Sequence, residues 1–238
     1  MVRLTLTGER TLPGIVEENY WFRRHEAAYR LLAAYCTRAT VLEVGCGEGY
    51  GAELLRQAGA HRVIAVDYVR DVVTHVRGRY PALAILQANA VRLPCRTSSV
   101  DVVTAMQVVE HLWEQPRFVR ECARVLRPGG RMLLTTPNRL TFSPMSTTAC
   151  NPFHARELTA IELAELAAPY FDAMVRGLRH TEPLQRWESA HGSLVAAQLA
   201  GNWDTVLRSR VASIEAQDFE LHDDVDAALD LVLVGIRR

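Results

Sequence analysis

The chain has 238 residues, 49% of them hydrophobic, and its 27 Lys and Arg balance 27 Asp and Glu. That length and composition suit a single globular domain with a sizeable core, and the even charge, with no basic run and no basic stripe interleaved with aromatics, excludes nucleic acid as the expected partner. The five cysteines (Cys36, Cys46, Cys95, Cys122 and Cys150) are scattered without a C-x-x-C spacing, which excludes a disulfide framework or zinc site and points to a reducing compartment; with no apolar run of signal-peptide or membrane-span length, a cytoplasmic location without membrane insertion is expected.

Residues 1–19 read as an arm with a turn at Pro13-Gly14. From Asn19 to Cys36 the apolar residues recur at helical spacing, so residues 1–38 form an N-terminal arm and helix. Strands are expected at about 40–45, 62–67, 83–87, 100–105 and 131–136, with helices at about 50–58, 69–79 and 115–126 between them. Strands alternating with helices mean βαβ units, right-handed crossovers and a doubly wound parallel α/β sheet. Phe171–Leu178 and Asp230–Arg238 read as two more strands. Residues 138–158 and 179–225 fit the alternation poorly and read as insertions; the first begins at the carboxyl edge of the sheet, where ligands bind, and shapes an acceptor pocket. After it, a helix is expected near Thr159, with Glu162 completing a capping box.

Residues 41–51 read Val-Leu-Glu-Val-Gly-Cys-Gly-Glu-Gly-Tyr-Gly. A buried strand runs into glycines at every second position, a turn whose missing Cβ atoms let a ligand approach the backbone. The following helix presents its first N–H groups to the same place, and Asp67, ending the second strand, stands where an acid meets ribose hydroxyls. The dinucleotide spacing G-x-G-x-x-G fails, because Tyr50 occupies the third glycine position counted from Gly45. Glu43 would repel a phosphate and suits an ammonium group. A nucleoside with a cationic head is the expected ligand.

These residues resemble class I S-adenosylmethionine-dependent methyltransferases. Val41–Gly49 is similar to the family's first motif, Leu86–Ala90 with Leu93-Pro94 to its adenine-binding segment, Val100–His111 to its fourth strand and active-site turn, and Ala123–Leu134 to its helix, turn and fifth strand. The resemblance implies S-adenosyl-L-methionine as cofactor and a Rossmann-like seven-stranded sheet of order 3-2-1-4-5-7-6, with strand 7 antiparallel. It implies that Glu43, Gly45, Cys46, Gly47, Gly49, Asp67, Tyr68, Asn89, Ala90 and Gln107 hold the cofactor, with Arg24 on its carboxylate. Asn89 stands where the family usually has Asp, its amide oxygen still able to accept from an adenine amino group. Cys46 is small filler in the loop, not a nucleophile.

A hydroxyl acceptor needs a proton acceptor or a metal ion. If the chain turns helical after the fourth strand, Gln107, Glu110 and His111 share one face. Ubiquinone-biosynthesis O-methyltransferases have a similar Glu-x-x-Glu-His stretch that holds a divalent ion, but here the first ligand is a neutral amide, so a metal is not favoured. Glu110, His111 and, on the loop Asn151-Pro-Phe-His154, His154 are the candidate catalytic residues. Tyr20, Trp21, His25, Asn151 and Phe153 are candidate acceptor-binding residues, while Phe22, His180, Trp187 and His191 read as structural. Leu4–Arg10, Glu18–His25, Asn151–His154 and Ala190–Gly192 further resemble actinobacterial methyltransferases linked to methylglucose lipopolysaccharide, a partly O-methylated intracellular glucan. That implies O-methylation of a sugar hydroxyl in polysaccharide biosynthesis, with a small-molecule or oligosaccharide acceptor as partner. A quinone or secondary-metabolite hydroxyl is the second reading. A non-catalytic sensor of S-adenosylmethionine is a reading of another class. A glucan predicts stacking aromatics along an open groove, a quinone a closed apolar pocket, and a sensor no base beside the methyl group.

Overall fold

The computed structural model describes residue 4 and residues 10–144, 151–201 and 203–238. Residues 5–9 of the opening resemblance, residues 145–150 of the expected acceptor segment, and Cys150 lie outside the described residues.

The elements follow as α1 (Asn19–Leu32) with a 3-10 turn Ala33–Cys36, β1 (Thr40–Val44), α2 (Tyr50–Gln57), β2 (Arg62–Asp67), α3 (Arg70–Arg79), β3 (Ala84–Gln87), β4 (Val100–Met106), α4 (Gln115–Val125), β5 (Leu126–Pro137), α5 (Arg139–Phe142), α6 (Ala160–Ala167), β6 (Phe171–His180), α7 (Glu182–His191), α8 (Leu194–Leu199), α9 (Thr205–Ser213), β7 (Phe219–His222) and β8 (Asp230–Arg237). The sheet order is β3-β2-β1-β4-β5-β8-β6-β7. Strands β1 to β5 pair in parallel, and β8 runs antiparallel to both β5 and β6. Side chains alternate along a strand. Val41 therefore packs with Tyr29, Leu55 and Val76 on one face, and Leu42 with Phe118, Val119 and Leu163 on the other.

The expectation of seven strands is corrected to eight among the described residues. The extra strand, β7, lies in the insertion 179–225 and pairs antiparallel with the outer edge of β6. Strand β5 also starts earlier than expected, at Leu126. Its Pro128-Gly129-Gly130 stretch is absorbed where the pairing jumps from Val100–Leu126 to Val102–Arg131. The capping box of α6 forms as expected: Thr159 Oγ1 accepts from the Glu162 N–H at 3.3 Å, and the Thr159 N–H donates to Glu162 Oε2 at 2.8 Å.

Helix α1 is tied across the sheet by buried polar contacts. Arg24, 2% exposed, donates through Nε to Asp230 Oδ2 at 2.6 Å, pairs through Nη2 with Asp230 Oδ1, and reaches the Leu229 carbonyl at 2.8 Å. Tyr20, fully buried, donates to His180 Nε2 at 2.9 Å, and His180 Nδ1 donates to Glu188 Oε2 at 2.8 Å. Tyr20 is therefore a core residue joining α1 to β6 and α7, and is corrected from the acceptor-binding set. Removing one partner of a buried ion pair strands the other charge, at a cost of about 3–5 kcal/mol. Asp230→Ala is expected to lower the melting temperature by roughly 6–20 °C in a calorimetric scan. Arg30→Ala, which cuts a pair on the exposed side of α1, should change it by only a degree or two (about 0–1 kcal/mol).

Candidate active site

A cleft of about 380 Å³ opens at the carboxyl ends of β1, β2 and β4. Gly45 and Cys46 both donate from their backbone N–H groups to the Val66 carbonyl, at 2.8 and 3.1 Å, which turns the chain out of β1 beside the end of β2. Gly47 lies in the left-handed region, φ 53°, and a Cβ built there meets nothing within 4 Å. Its N–H donates to Asp67 Oδ2 at 3.0 Å while Asp67 Oδ1 accepts from the Val69 N–H at 2.9 Å. Burial pushes the Asp67 carboxyl above its ordinary value, and these donors pull against that rise. Gly45, Cys46, Gly47, Asp67, Tyr68, Asn89, Ala90 and Gln107 line this cleft. Asn89 Oδ1 already accepts from the Val91 N–H at 3.0 Å, closing its own turn.

Three expected cofactor residues do not line the cleft. Gly49 instead packs the start of α2 on α3, where a Cβ would come within 2.9 Å of Val76 Cγ2. Glu43 shares the face of Val41 and is buried beneath the loop, where it accepts from the Tyr29 hydroxyl of α1. Arg24 spends Nε and Nη2 on Asp230 and Leu229. Sequence reasoning missed Tyr29, Tyr50 and Thr11, which line the cleft. The hydroxyls of Thr11 and Tyr50 lie 3.0 Å apart, and Thr11 Oγ1 is 3.3 Å from His25 Nδ1. Tyr50 sits inside the glycine run, and that was the one available signal.

A second cavity, of about 220 Å³, abuts the first, and Arg10, Thr11, His25, Gln107 and His111 line both. It also takes Trp21, Arg24, Glu110, Asn151 and His154, together with Phe142, Gln198 and Leu199, which the sequence did not single out. Phe153 does not line it. That residue is 41% exposed and contributes its carbonyl, which accepts from His111 Nδ1 at 3.0 Å.

The shared helical face expected for Gln107, Glu110 and His111 does not form. The Gln107 N–H donates to the Thr135 carbonyl at 2.9 Å, prolonging the pairing of β4 with β5, and the residue then turns left-handed at φ 57°. Only a 3-10 turn, Val109–His111, follows. The groups brought together are Glu110, His111 and His154, one ligand atom of each lying within 4.8 Å of the others. The loop holding His154 is stitched in place: the Glu110 carbonyl accepts from the Ala155 and Arg156 N–H groups at 2.7 and 3.1 Å. His154 Nδ1 donates to the buried Glu157 Oε1 at 2.7 Å, and the two imidazole centroids are 4.9 Å apart. With Nδ1 of each ring donating to an oxygen, the neutral tautomers carry their lone pair on Nε2. Glu110 Oε2 accepts from Thr136 Oγ1 at 3.0 Å, and burial raises the carboxyl to about 8.

A family model of a methyltransferase domain matches residues 42–134. Over 247 residues the chain is 50% identical to a probable S-adenosylmethionine-dependent methyltransferase of Mycobacterium tuberculosis, covering 98% of this chain and 90% of that one. A ubiquinone biosynthesis O-methyltransferase of Xanthomonas oryzae is 36% identical over 106 residues, 42% of this chain and 44% of that protein. Among solved structures, a methyltransferase of Thermotoga maritima, described as a possible histamine N-methyltransferase, shares the fold with a TM-score of 0.64 at 17% identity, over 92% of this chain and 93% of that one.

Three buried groups beside these cavities make stability depend on pH. Glu43 and Glu110 are both raised to about 8 by burial. Between their ordinary value near 4.5 and about 8, the folded state holds protons that the unfolded state releases, so stability falls as pH rises through that window. His25, lowered by burial to about 4, acts in the opposite sense and destabilises as pH drops from about 6.5 toward that value. Denaturant midpoints of the ligand-free protein should fall between about pH 6.5 and 8. Glu43→Gln should roughly halve that fall; an unchanged slope would refute the assignment.

Proposed function

Because the chain belongs to the class I S-adenosylmethionine-dependent methyltransferases, we propose that it methylates a sugar hydroxyl of an oligo- or polysaccharide of the methylglucose lipopolysaccharide type. S-adenosylmethionine is its cofactor, and when bound it supplies a sulfonium methyl open to in-line attack. The first cleft suits it: the glycine turn offers bare backbone at Gly47, where a Cβ would have nothing within 4 Å, and the Asp67 carboxylate keeps lone pairs for two ribose hydroxyls.

The second cavity receives the acceptor, and Trp21, His25 and Asn151 in its wall orient it. A sugar hydroxyl is a weak acid and must lose its proton as it attacks. His111 or His154 takes that proton on Nε2. Glu157 holds the His154 ring, and the Phe153 carbonyl holds that of His111. The Glu110 carboxyl behind them is held mostly protonated by burial. The single observation that carries the reading is this imidazole pair beside the wall shared by two cavities. Eleven of the fifteen described residues lining the second cavity carry a charged, amide, hydroxyl or imidazole group able to hold a hydroxylated acceptor, and a sensor has no use for paired imidazoles.

A radiolabelled methyl-transfer screen over gluco- and manno-oligosaccharides, with and without a chelator, tests the acceptor class. His111→Ala or His154→Ala, whichever removes the base, should lower kcat about 10²–10⁴-fold with affinity for S-adenosylhomocysteine intact. Normal kcat in both variants would exclude both a histidine base and a metal held by these imidazoles, whereas loss of kcat in both variants together with chelator sensitivity of the wild type would assign the cluster to a metal. Asp67→Ala removes a charged acceptor worth roughly 1.5–3 kcal/mol, so calorimetry should show at least about a tenfold loss of S-adenosylhomocysteine affinity; unchanged affinity would refute the ribose role.

A further inference from the structure

Two residues that line the second cavity carry a buried side-chain oxygen without a hydrogen-bond partner among the described residues, Glu110 with Oε1 and Gln198 with Oε1. Glu110 belongs to the imidazole cluster. Gln198 belongs neither to that cluster nor to the cofactor cleft. It lies on α8, in the insertion after β6, and is 8% exposed. Its Nε2 donates to the Leu194 carbonyl, one turn back, at 3.0 Å. A carbonyl only accepts, so the amide cannot be turned end for end, and the oxygen is the atom left over. The helix is held from behind. The Leu194 N–H donates to Glu188 Oε1 at 2.8 Å, and Glu188 Oε2 accepts from His180, which Tyr20 in turn holds. Leu194 itself is fully buried, so α8 keeps Gln198 in the cavity wall. A buried amide oxygen without a donor bears the full cost of its lost hydration. Such an atom needs an explanation in a native structure, and in the wall of a ligand cavity a ligand donor supplies one.

We propose that Gln198 is a specificity-determining residue: its Oε1 accepts a hydrogen bond from a second hydroxyl of the acceptor, not the one that is methylated, so that acceptors lacking that hydroxyl are rejected. The inference rests on the sugar-hydroxyl reading above. An acceptor with one hydroxyl spends it on methyl transfer, whereas a sugar ring keeps others to donate. At about 220 Å³ the second cavity is smaller than the roughly 300–1,000 Å³ of sites that enclose a drug-sized ligand, so a ring set against the imidazoles stays within reach of Gln198 in the same wall. A site that hydrogen-bonds a substrate hydroxyl rejects the analogue without it more strongly than an apolar pocket rejects a missing methylene, because the protein's polar group is left unpaired. The oxygen of Gln198 is a group of that kind.

The test takes the gluco- or manno-oligosaccharide that accepts a methyl group in the screen above, with its monodeoxy derivatives, and measures kcat/KM for the wild type and for Gln198→Met, an unbranched side chain without the amide. Apart from the derivative that lacks the methylated hydroxyl, one monodeoxy derivative should react roughly 5- to 100-fold more slowly than the parent with the wild type. Gln198→Met should lose a similar factor on the parent and should no longer distinguish that derivative from it, so that the two changes are not additive. Affinity for S-adenosylhomocysteine should be unchanged in the variant, which shows a folded enzyme with an intact cofactor cleft. A wild type that treats all the remaining derivatives like the parent overturns the role of Gln198, whether or not the variant folds. A variant that loses the same factor on every acceptor and keeps the wild-type discrimination makes the amide a support of α8 and also overturns that role, while the sugar reading stands. If no sugar accepts a methyl group, the sugar reading itself falls, and the role of Gln198 with it.

Discussion

A guanidinium and a carboxylate buried against each other at the carboxyl edge of the sheet decide where the walls of both cavities stand. Asp230 opens β8 opposite Pro137, the last residue of β5, and Arg24 meets it from the middle of α1. In a low-dielectric setting neither charge tolerates loss of the other, so α1 cannot slide or roll over the sheet. Its register then places Trp21 and His25, on either side of Arg24, in the second cavity. One turn further on, Tyr29 lies over Glu43. One turn earlier, Tyr20 reaches His180 and anchors the insertion carrying α7.

Two fully buried carboxyls lie near the cavities, Glu43 beneath the glycine loop against Tyr29 and Glu110 in the wall of the second cavity. Burial holds both near a neutral state at physiological pH. These carboxyls therefore carry less negative charge than the sequence alone implies, and Asp67, which lines the cleft, also ties the loop to the end of β2. The imidazole pair gains its order from outside itself. Each ring is fixed by an oxygen acceptor on the loop 151–158, and that loop is fixed by the Glu110 backbone. A wall built this way brings two imidazoles together beside the junction of two cavities without a regular helix.

Much of the architecture was legible because it is written in short-range patterns. The strand, glycine run and helix of residues 41–57 declare themselves by period and by missing Cβ atoms. The Thr159–Glu162 capping box is a contact across three residues. The alternation of strands and helices leaves few topologies open. The four-residue β7 escaped because a short edge strand of mixed polarity, Phe-Glu-Leu-His, carries no period long enough to read. The turn at Gln107 escaped because its left-handed backbone is imposed by Thr135 on another strand, not by its own neighbours.

By itself the sequence determined the parallel core, the glycine turn after the first strand, Asp67 at the end of the second, and the candidate set from which the imidazoles come. Only the tertiary structure decided which of those candidates share a cavity. It sent Arg24 to Asp230, 206 residues away, Tyr20 to a core histidine, and Glu43 under a tyrosine, and it replaced Gln107 with His154 beside Glu110 and His111. The physical reason is that a charged or polar side chain takes its role from the partner that offsets its burial, and those partners lie on distant elements that no local pattern brings together.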